Sequence, residues 1–162
     1  MNPSTLMTND VRLRAVEDGD LPIFFEQQLD PQATRMAAFP SRPRDAFMAH
    51  WAKIRTESNG AIIRTIVFQG QVAGNIGSWE QADERNVGYW LGREYWGKGI
   101  ASAALILFLG EVKMRPLHAH VVKHNVASIR VLQKCGFVIS GEDKFPDADG
   151  AEGEEYILSL AP

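Results

Sequence analysis

Apolar and charged residues alternate from Val11 to Val16, the period-two pattern of a strand with one buried face. The spacing then turns helical. Leu21, Phe24, Phe25 and Leu29 form one stripe behind Asp18 and Asp20, either of which suits an N-cap. Pro40 and Pro43 break the chain. Arg44 to Thr56 predicts a second helix, with Phe47, Trp51 and Ile54 on one face. After the turn signal Asn59-Gly60, Ala61 to Phe68 and Val72 to Glu80 read as strands joined by the hairpin residues Gln69-Gly70-Gln71. Gln81-Ala82-Asp83 turns the chain into a third strand of this group, Glu84 to Leu91. Lys98 to Met114 predicts a helix that is apolar nearly all round and therefore buried. Pro116 to Val122 reads as a strand and Asn125 to Lys134 as a helix stopped by Gly136. Phe137 to Gly141 and Glu155 to Leu160 close the chain as strands, with the acidic loop Asp147 to Gly153 between them.

This order does not alternate strictly, so it predicts an α+β fold with a mixed, mostly antiparallel central sheet and about four flanking helices. The segment 84–122 is a strand–helix–strand unit able to pair in parallel. A chain of 162 residues suits one domain, spanning 11–162, with 1–10 as a flexible polar segment. Apolar residues at 45% and charged residues at 23% fit an ordinary globular protein. A net charge of −3 supplies no global field for nucleic acid or anionic lipid. The longest apolar run, Ile100 to Leu109, is too short to span a bilayer, and Met1 to Asp10 lacks a signal-peptide core. With Cys135 as the single cysteine, no internal disulfide forms. These features predict a cytoplasmic protein without nucleic-acid or membrane partners; a monomer or a homodimer is expected.

The chemistry concentrates between Gly88 and Ala101, where an aromatic strand leads through a turn into a glycine pair that opens an apolar helix. A helix start presents unpaired N–H groups and the positive end of the dipole, and small residues let a phosphate approach the backbone. Gly92 to Gly99 nearly spells a P-loop, but Gly99 stands where the magnesium-binding Ser or Thr belongs. A dinucleotide fingerprint also fails, because Gly97-Lys98-Gly99 is followed by Ser102 rather than the third glycine. A plain tight turn, with glycine serving positive φ, competes with anion binding on these residues alone.

Two blocks decide between these readings. Trp96-Gly97-Lys98-Gly99-Ile100-Ala101 resembles the acetyl-CoA pyrophosphate loop of the GCN5-related N-acetyltransferase (GNAT) superfamily, with Gly99 and Ala101 on its two small positions. Trp96 replaces the commoner Gln or Arg, as is usual in the branch that includes the ribosomal-protein alanine N-acetyltransferases. Asn125 to Phe137 resembles the same branch in its Asn, Ser, Val-Leu, Lys and Gly-Phe positions. The resemblance covers nearly the whole chain from Val11.

It implies a GNAT-like single domain whose strands splay at the acetyl-CoA site, and transfer of acetyl to a primary amine by direct attack. The acceptor is a small molecule or a peptide N-terminus. Acetyl-CoA is the co-substrate and no metal is needed. The pyrophosphate is expected on the N–H groups of Gly97, Lys98, Gly99, Ile100 and Ala101 beside Trp96, with Lys98 as a rim cation. The pantetheine arm falls against Tyr89, Trp90 and Leu91. Asn125 suits a helix cap and, by resemblance, a contact to the CoA arm. Ser128, one turn on, is the expected general acid, because the tyrosine many relatives carry is replaced here by Leu132.

The base is open. Asn86 stands where relatives often carry Glu, which leaves Glu84, two residues earlier on the same face, and Glu80 as candidates. Leu132 and Asn86 also sustain a second reading, a non-catalytic acyl-CoA-binding sensor or interaction module. His118 and His120 share a strand face, yet with His124 they lack the further ligands that a metal site needs. Cys135 reads as a packed residue. Arg35 to Arg44, with Met36, Phe39 and Arg42, occupies the stretch that often shapes the acceptor pocket in the family.

Overall fold

The computed structural model describes residues 10–56, 60–146 and 152–162. Asn59, most of the acidic loop (147–151) and residues 1–9 of the segment expected to be flexible lie outside the described residues. Seven strands form one sheet: β1 (Val11–Ala15), β2 (Ile62–Phe68), β3 (Gln71–Gln81), β4 (Glu84–Leu91), β5 (Leu117–Val122), β6 (Val138–Pro146) and β7 (Glu152–Leu160). Among the described residues five α-helices accompany it: α1 (Leu21–Gln28), α2 (Pro31–Ala37), α3 (Arg44–Thr56), α4 (Ile100–Glu111) and α5 (Val126–Lys134). The sheet order is β1-β2-β3-β4-β5-β7-β6.

Every neighbouring pair is antiparallel except β4 and β5, which run parallel and meet at one register pair, Asn86 with His118. By contrast β3 and β4 stay paired from Gln81–Glu84 to Gly74–Leu91, and β5 and β7 from Leu117–Leu160 to Val122–Glu155. Beyond Asn86 the β4 edge therefore leaves β5, and the sheet opens along Val87 to Leu91.

The two faces are covered differently. Ile100, Ala104, Leu105 and Phe108 of α4 pack with Ile129 and Leu132 of α5 on Ile66, Ile76, Leu117 and Leu158 of the sheet. The other face carries an aromatic cluster, in which Phe24 of α1 meets Trp51 of α3 at 5.1 Å between ring centroids and Phe25 meets Phe47 edge-on at 5.5 Å.

The differences from the sequence expectations have local causes. Helix α2, absent from the sequence expectations, is only seven residues long and too short to show a stripe. Its start is set by Asp30, which accepts from the Gln32 N–H at 3.1 Å, and by Pro31 in the first turn. Helix α1 ends at Gln28, so Leu29 leaves the stripe and is 42% exposed. Neither Asp18 nor Asp20 caps α1 with its side chain. Asp18 pairs with Arg55, and buried Asp20 accepts from Arg14 at 2.7 and 2.9 Å, from the Thr65 hydroxyl at 2.7 Å and from the Glu17 N–H at 2.9 Å. Burial alone would raise the Asp20 carboxyl; these hydrogen bonds from Arg14, Glu17 and Thr65 override it and hold it at about 2. Helix α4 begins only at Ile100, because Gly99 is left-handed, and it is not buried all round: Ile106 and Leu107 face outward. Strands β6 and β7 extend each other into what reads in sequence as loop, since their backbones pair from Val138–Ser159 to Pro146–Glu152.

Candidate functional site

Along the opened edge, alternation sends Tyr89 and Leu91 to one face and Gly88 and Trp90 to the other. Tyr89 turns toward α5, and its hydroxyl donates to Ser128 Oγ at 3.1 Å. Burial pushes its phenol up, and the hydrogen bond to Ser128 offsets only part of that, so the group stays protonated at neutral pH. Trp90 turns toward α1, where its Nε1 donates to the Gln27 carbonyl at 3.3 Å. Gln27 in turn donates to the Ala73 carbonyl at 3.1 Å, so one buried amide ties α1 to β3 behind the strand end. Gly74 lies opposite Leu91, and a side chain there would collide with the Trp90 carbonyl; glycine lets β3 press against β4 at the opening.

The chain leaves β4 through a short 3-10 turn, Arg93–Tyr95. Trp96 Nε1 then donates back to the Leu91 carbonyl at 3.1 Å, which folds the loop over the strand end. Gly97 and Gly99 follow with φ of 74° and 78°, the left-handed region that other residues enter at a cost. Nothing lies within 4 Å of where a Gly97 side chain would be. Among the described residues, the N–H groups of Gly97 to Ala101 take no backbone acceptor, as expected for a helix start. Across from them, Asn125 caps α5 by accepting the Ser128 N–H at 3.3 Å. Among the described residues the Ser128 hydroxyl makes no bond to its own helix and none besides the one it receives from the Tyr89 hydroxyl.

These pieces enclose a cavity of about 390 Å³. Tyr89, Trp90 and Leu91 form one wall and Trp96, Gly97, Gly99, Ile100 and Ala101 another. Asn125 and Ser128 close it from α5, and Ala33, Met36 and Ala37 from α2. Lys98 is not part of the lining. Arg130 and Lys134 are; they stand four residues apart on α5 and make no ion pair among the described residues. Sequence reading missed both, although their i, i+4 spacing with Val131 on the helix was a usable signal. A smaller cavity of about 120 Å³ continues through the splay and reaches Gly88, Leu132 and His120. The two cavities share Ala37, Tyr89, Asn125 and Ser128, so the hydroxyl pair stands at their junction.

The acidic candidates separate. Glu80 sits at the hairpin end of β3, half-exposed, 3.7 Å from the buried guanidinium of Arg85, and lines neither cavity. Glu84 also lies outside both linings, but its Oε2 comes within 3.9 Å of His120 Nε2. Asn86 is buried and donates to the Glu84 carbonyl at 3.2 Å, holding the strand at the one place where β4 still meets β5. His118 binds Ser159 at 2.9 Å and His124 binds the Arg35 carbonyl at 2.9 Å, the latter tying α2 to the α5 cap. Among the described residues no three His, Cys, Asp or Glu side chains gather as a metal site would require. Burial pushes the Cys135 thiol up, and it lines neither cavity.

Residues 10–138 match the family described as the acetyltransferase (GNAT) domain. The chain belongs to the GNAT acetyltransferase family. A relative from Bacillus licheniformis, the uncharacterised N-acetyltransferase p20, is 28% identical over 96% of this chain and 95% of its own length. The fold is shared with the spermidine N-acetyltransferase of Vibrio cholerae solved with CoA and spermine, at a TM-score of 0.82 and 18% identity over 94% and 96% of the two chains. It is shared also with RimL, a ribosomal L7/L12 α-N-protein acetyltransferase solved with CoA, at a TM-score of 0.74 and 20% identity over 94% of each chain. Among the described residues no helix of this GNAT domain is long and apolar enough to cross a membrane.

Proposed function

We propose that the protein is an acetyl-CoA-dependent N-acetyltransferase that acts on a primary amine by direct attack. The observation that carries this reading is the junction at Ser128: a hydroxyl that accepts from Tyr89, set between the cavity lined by the glycine loop and a second cavity that opens through the splay. The residues fit the donor. Free N–H groups from Gly97 to Ala101 face an open side at Gly97, where an anion can approach the backbone. Arg130 and Lys134 add positive charge to the same cavity, and Lys98 adds it at the rim. The unpaired edge of β4 at Tyr89, Trp90 and Leu91 offers backbone groups to the amide-bearing arm of CoA, beside Asn125.

When bound, acetyl-CoA supplies an activated acyl group and a thiolate leaving group. Ser128 would give its proton to the departing sulfur and recover hydrogen-bonding support from Tyr89. The buried phenol stays protonated and therefore remains a donor to Ser128 Oγ. Acceptors bound by fold neighbours include spermine in the Vibrio cholerae enzyme, while RimL is named for a protein N-terminus. Both are primary amines, and the second cavity has room for the end of such a chain rather than for its whole length.

The test is release of free CoA from acetyl-CoA in the presence of a broad panel of primary amines. Acceptor-dependent release is expected. Tight acetyl-CoA binding without release from any amine would instead establish a binding module. The cradle is tested by Gly99→Leu, which fills the loop and imposes a left-handed leucine at a strain of about 1–2 kcal/mol. Acetyl-CoA affinity should fall by more than tenfold while the protein stays folded, and an unchanged affinity would remove the pyrophosphate assignment.

A further inference from the structure

We infer that His120 is the general base that takes the proton from the acceptor ammonium, with Glu155 as its positioning residue; this rests on the transferase reading above. His120 lies on β5, on the face opposite α4 and α5, and lines the smaller cavity that ends at Ser128 and Tyr89. Its Nδ1 is 3.0 Å from Glu155 Oε1 on β7. A carboxylate only accepts, so Nδ1 carries the proton and the lone pair of the neutral ring sits on Nε2. Nε2 has no hydrogen-bond partner among the described residues and looks toward Glu84 Oε2 across 3.9 Å. That gap, between one lone pair and one carboxylate, suits an ammonium group. Trp79 lays its indole over Gly88 on the same face, giving an apolar wall beside it.

The other groups facing the ring decide in favour of a base. Glu84 comes from β4 and Glu155 from β7, and across the cavity stands the Tyr89 phenol, protonated. Helices α2 and α5 contribute Ala37, Ser128 and Leu132 to this cavity, none of them charged. The two carboxylates draw in a cationic amine, and neither needs to be the base itself. In the step, the N–H bond of the ammonium breaks, its proton passes to Nε2, and the amine nitrogen keeps the electron pair for attack. Of the two protons the nitrogen finally loses, one leaves through His120 to water. The other, lost as the C–N bond forms and the thioester C–S bond breaks, returns to the Ser128 oxygen, whose own proton has gone to the departing thiolate.

The experiment compares wild type, His120→Gln and Glu155→Gln in acceptor-dependent CoA release between pH 7 and pH 10, together with acetyl-CoA affinity by calorimetry. The probes are spermine and an alanine-starting peptide within the amine panel. His120→Gln should lose about 10²-fold in kcat/KM at pH 7. The deficit should shrink as rising pH neutralises the amine without help, and acetyl-CoA affinity should stay within twofold. Glu155→Gln should show the same pH-dependent deficit, because an amide can donate to Nδ1 and move the ring proton to Nε2. Equal rates and equal pH profiles in an active wild type and in His120→Gln would overturn the base assignment alone. A uniform loss across pH would also overturn it, as the mark of a structural role. A wild type that binds acetyl-CoA and acetylates nothing would overturn the transferase reading and this inference together.

Discussion

The two cavities that meet at Ser128 are built from different kinds of chain. The larger is built mainly on one continuous stretch, the end of β4 and the glycine loop after it, with α2 and α5 closing it and with backbone N–H groups and small residues as its chemistry. The smaller takes Gly88 from β4, His120 from β5 and Ala37 from α2, and beyond it Glu155 from β7. A backbone cradle suits a ligand whose diphosphate is constant, since it depends on no particular side chain. A side-chain wall suits a partner that differs between relatives, since each of its residues can change without disturbing the loop. Under the proposed function, the donor would be read from geometry close to the chain, and the acceptor from side chains brought together across the sheet.

Changes on either side should separate these roles, and the largest is expected at the junction. Ser128→Ala removes the proton donor but leaves both cavities in shape, so kcat should fall about 10²-fold with acetyl-CoA affinity retained. An unchanged kcat would mean that the junction hydroxyl takes no part in chemistry. The second concerns the support of the α1 side. Asp20 binds Arg14 and Thr65 just before α1, with a carboxyl held at about 2 in the folded protein against 3.8 ordinarily. A carboxyl lowered on folding stabilises above its unfolded value. That stabilisation, about 2 kcal/mol, is complete above pH 4 and is lost as pH falls from about 4 to about 2. Acid titration of unfolding should show this loss in wild type and not in Asp20→Asn; parallel curves would sink the assignment. The smallest effect is expected from the cations on α5. Arg130→Ala with Lys134→Ala should weaken acetyl-CoA binding about tenfold at low salt, and less as salt screens the exposed charges. A loss in acceptor KM instead, with donor affinity kept, would reverse the roles given to the two cavities.

Much of the larger cavity is legible in the sequence. Gly97 and Gly99 reveal themselves because few residues tolerate positive φ, and Asn125 because a short amide before an apolar helix is a natural cap. Arg130 and Lys134 were readable as neighbours on one helix, yet nothing local says that this face, rather than the next, meets a cavity. Helix α2 was hidden because seven residues with Ala33 as their buried member carry no stripe. The outward face of α4 was hidden for the opposite reason: an all-apolar helix gives no polar side to mark what the sheet leaves uncovered.

By itself the sequence determined most of the elements, the glycine loop and the cap at Asn125, because each follows from conformational preference or hydrogen bonding within a few residues. Only the tertiary structure decided where the carboxylates stand. Glu80 and Glu84 lie within four residues of each other, yet β-strand register carries one to Arg85 and the other toward His120. Glu155, 35 residues from His120, becomes its partner because β7 pairs Val122 with Glu155 and His120 with Ile157, placing both side chains on one face. The parting of β4 from β5 after a single pair was equally beyond local reading, since it depends on two strands separated by a helix. Local preference acts along the chain, whereas these side chains meet across it, where the sheet fixes their approach.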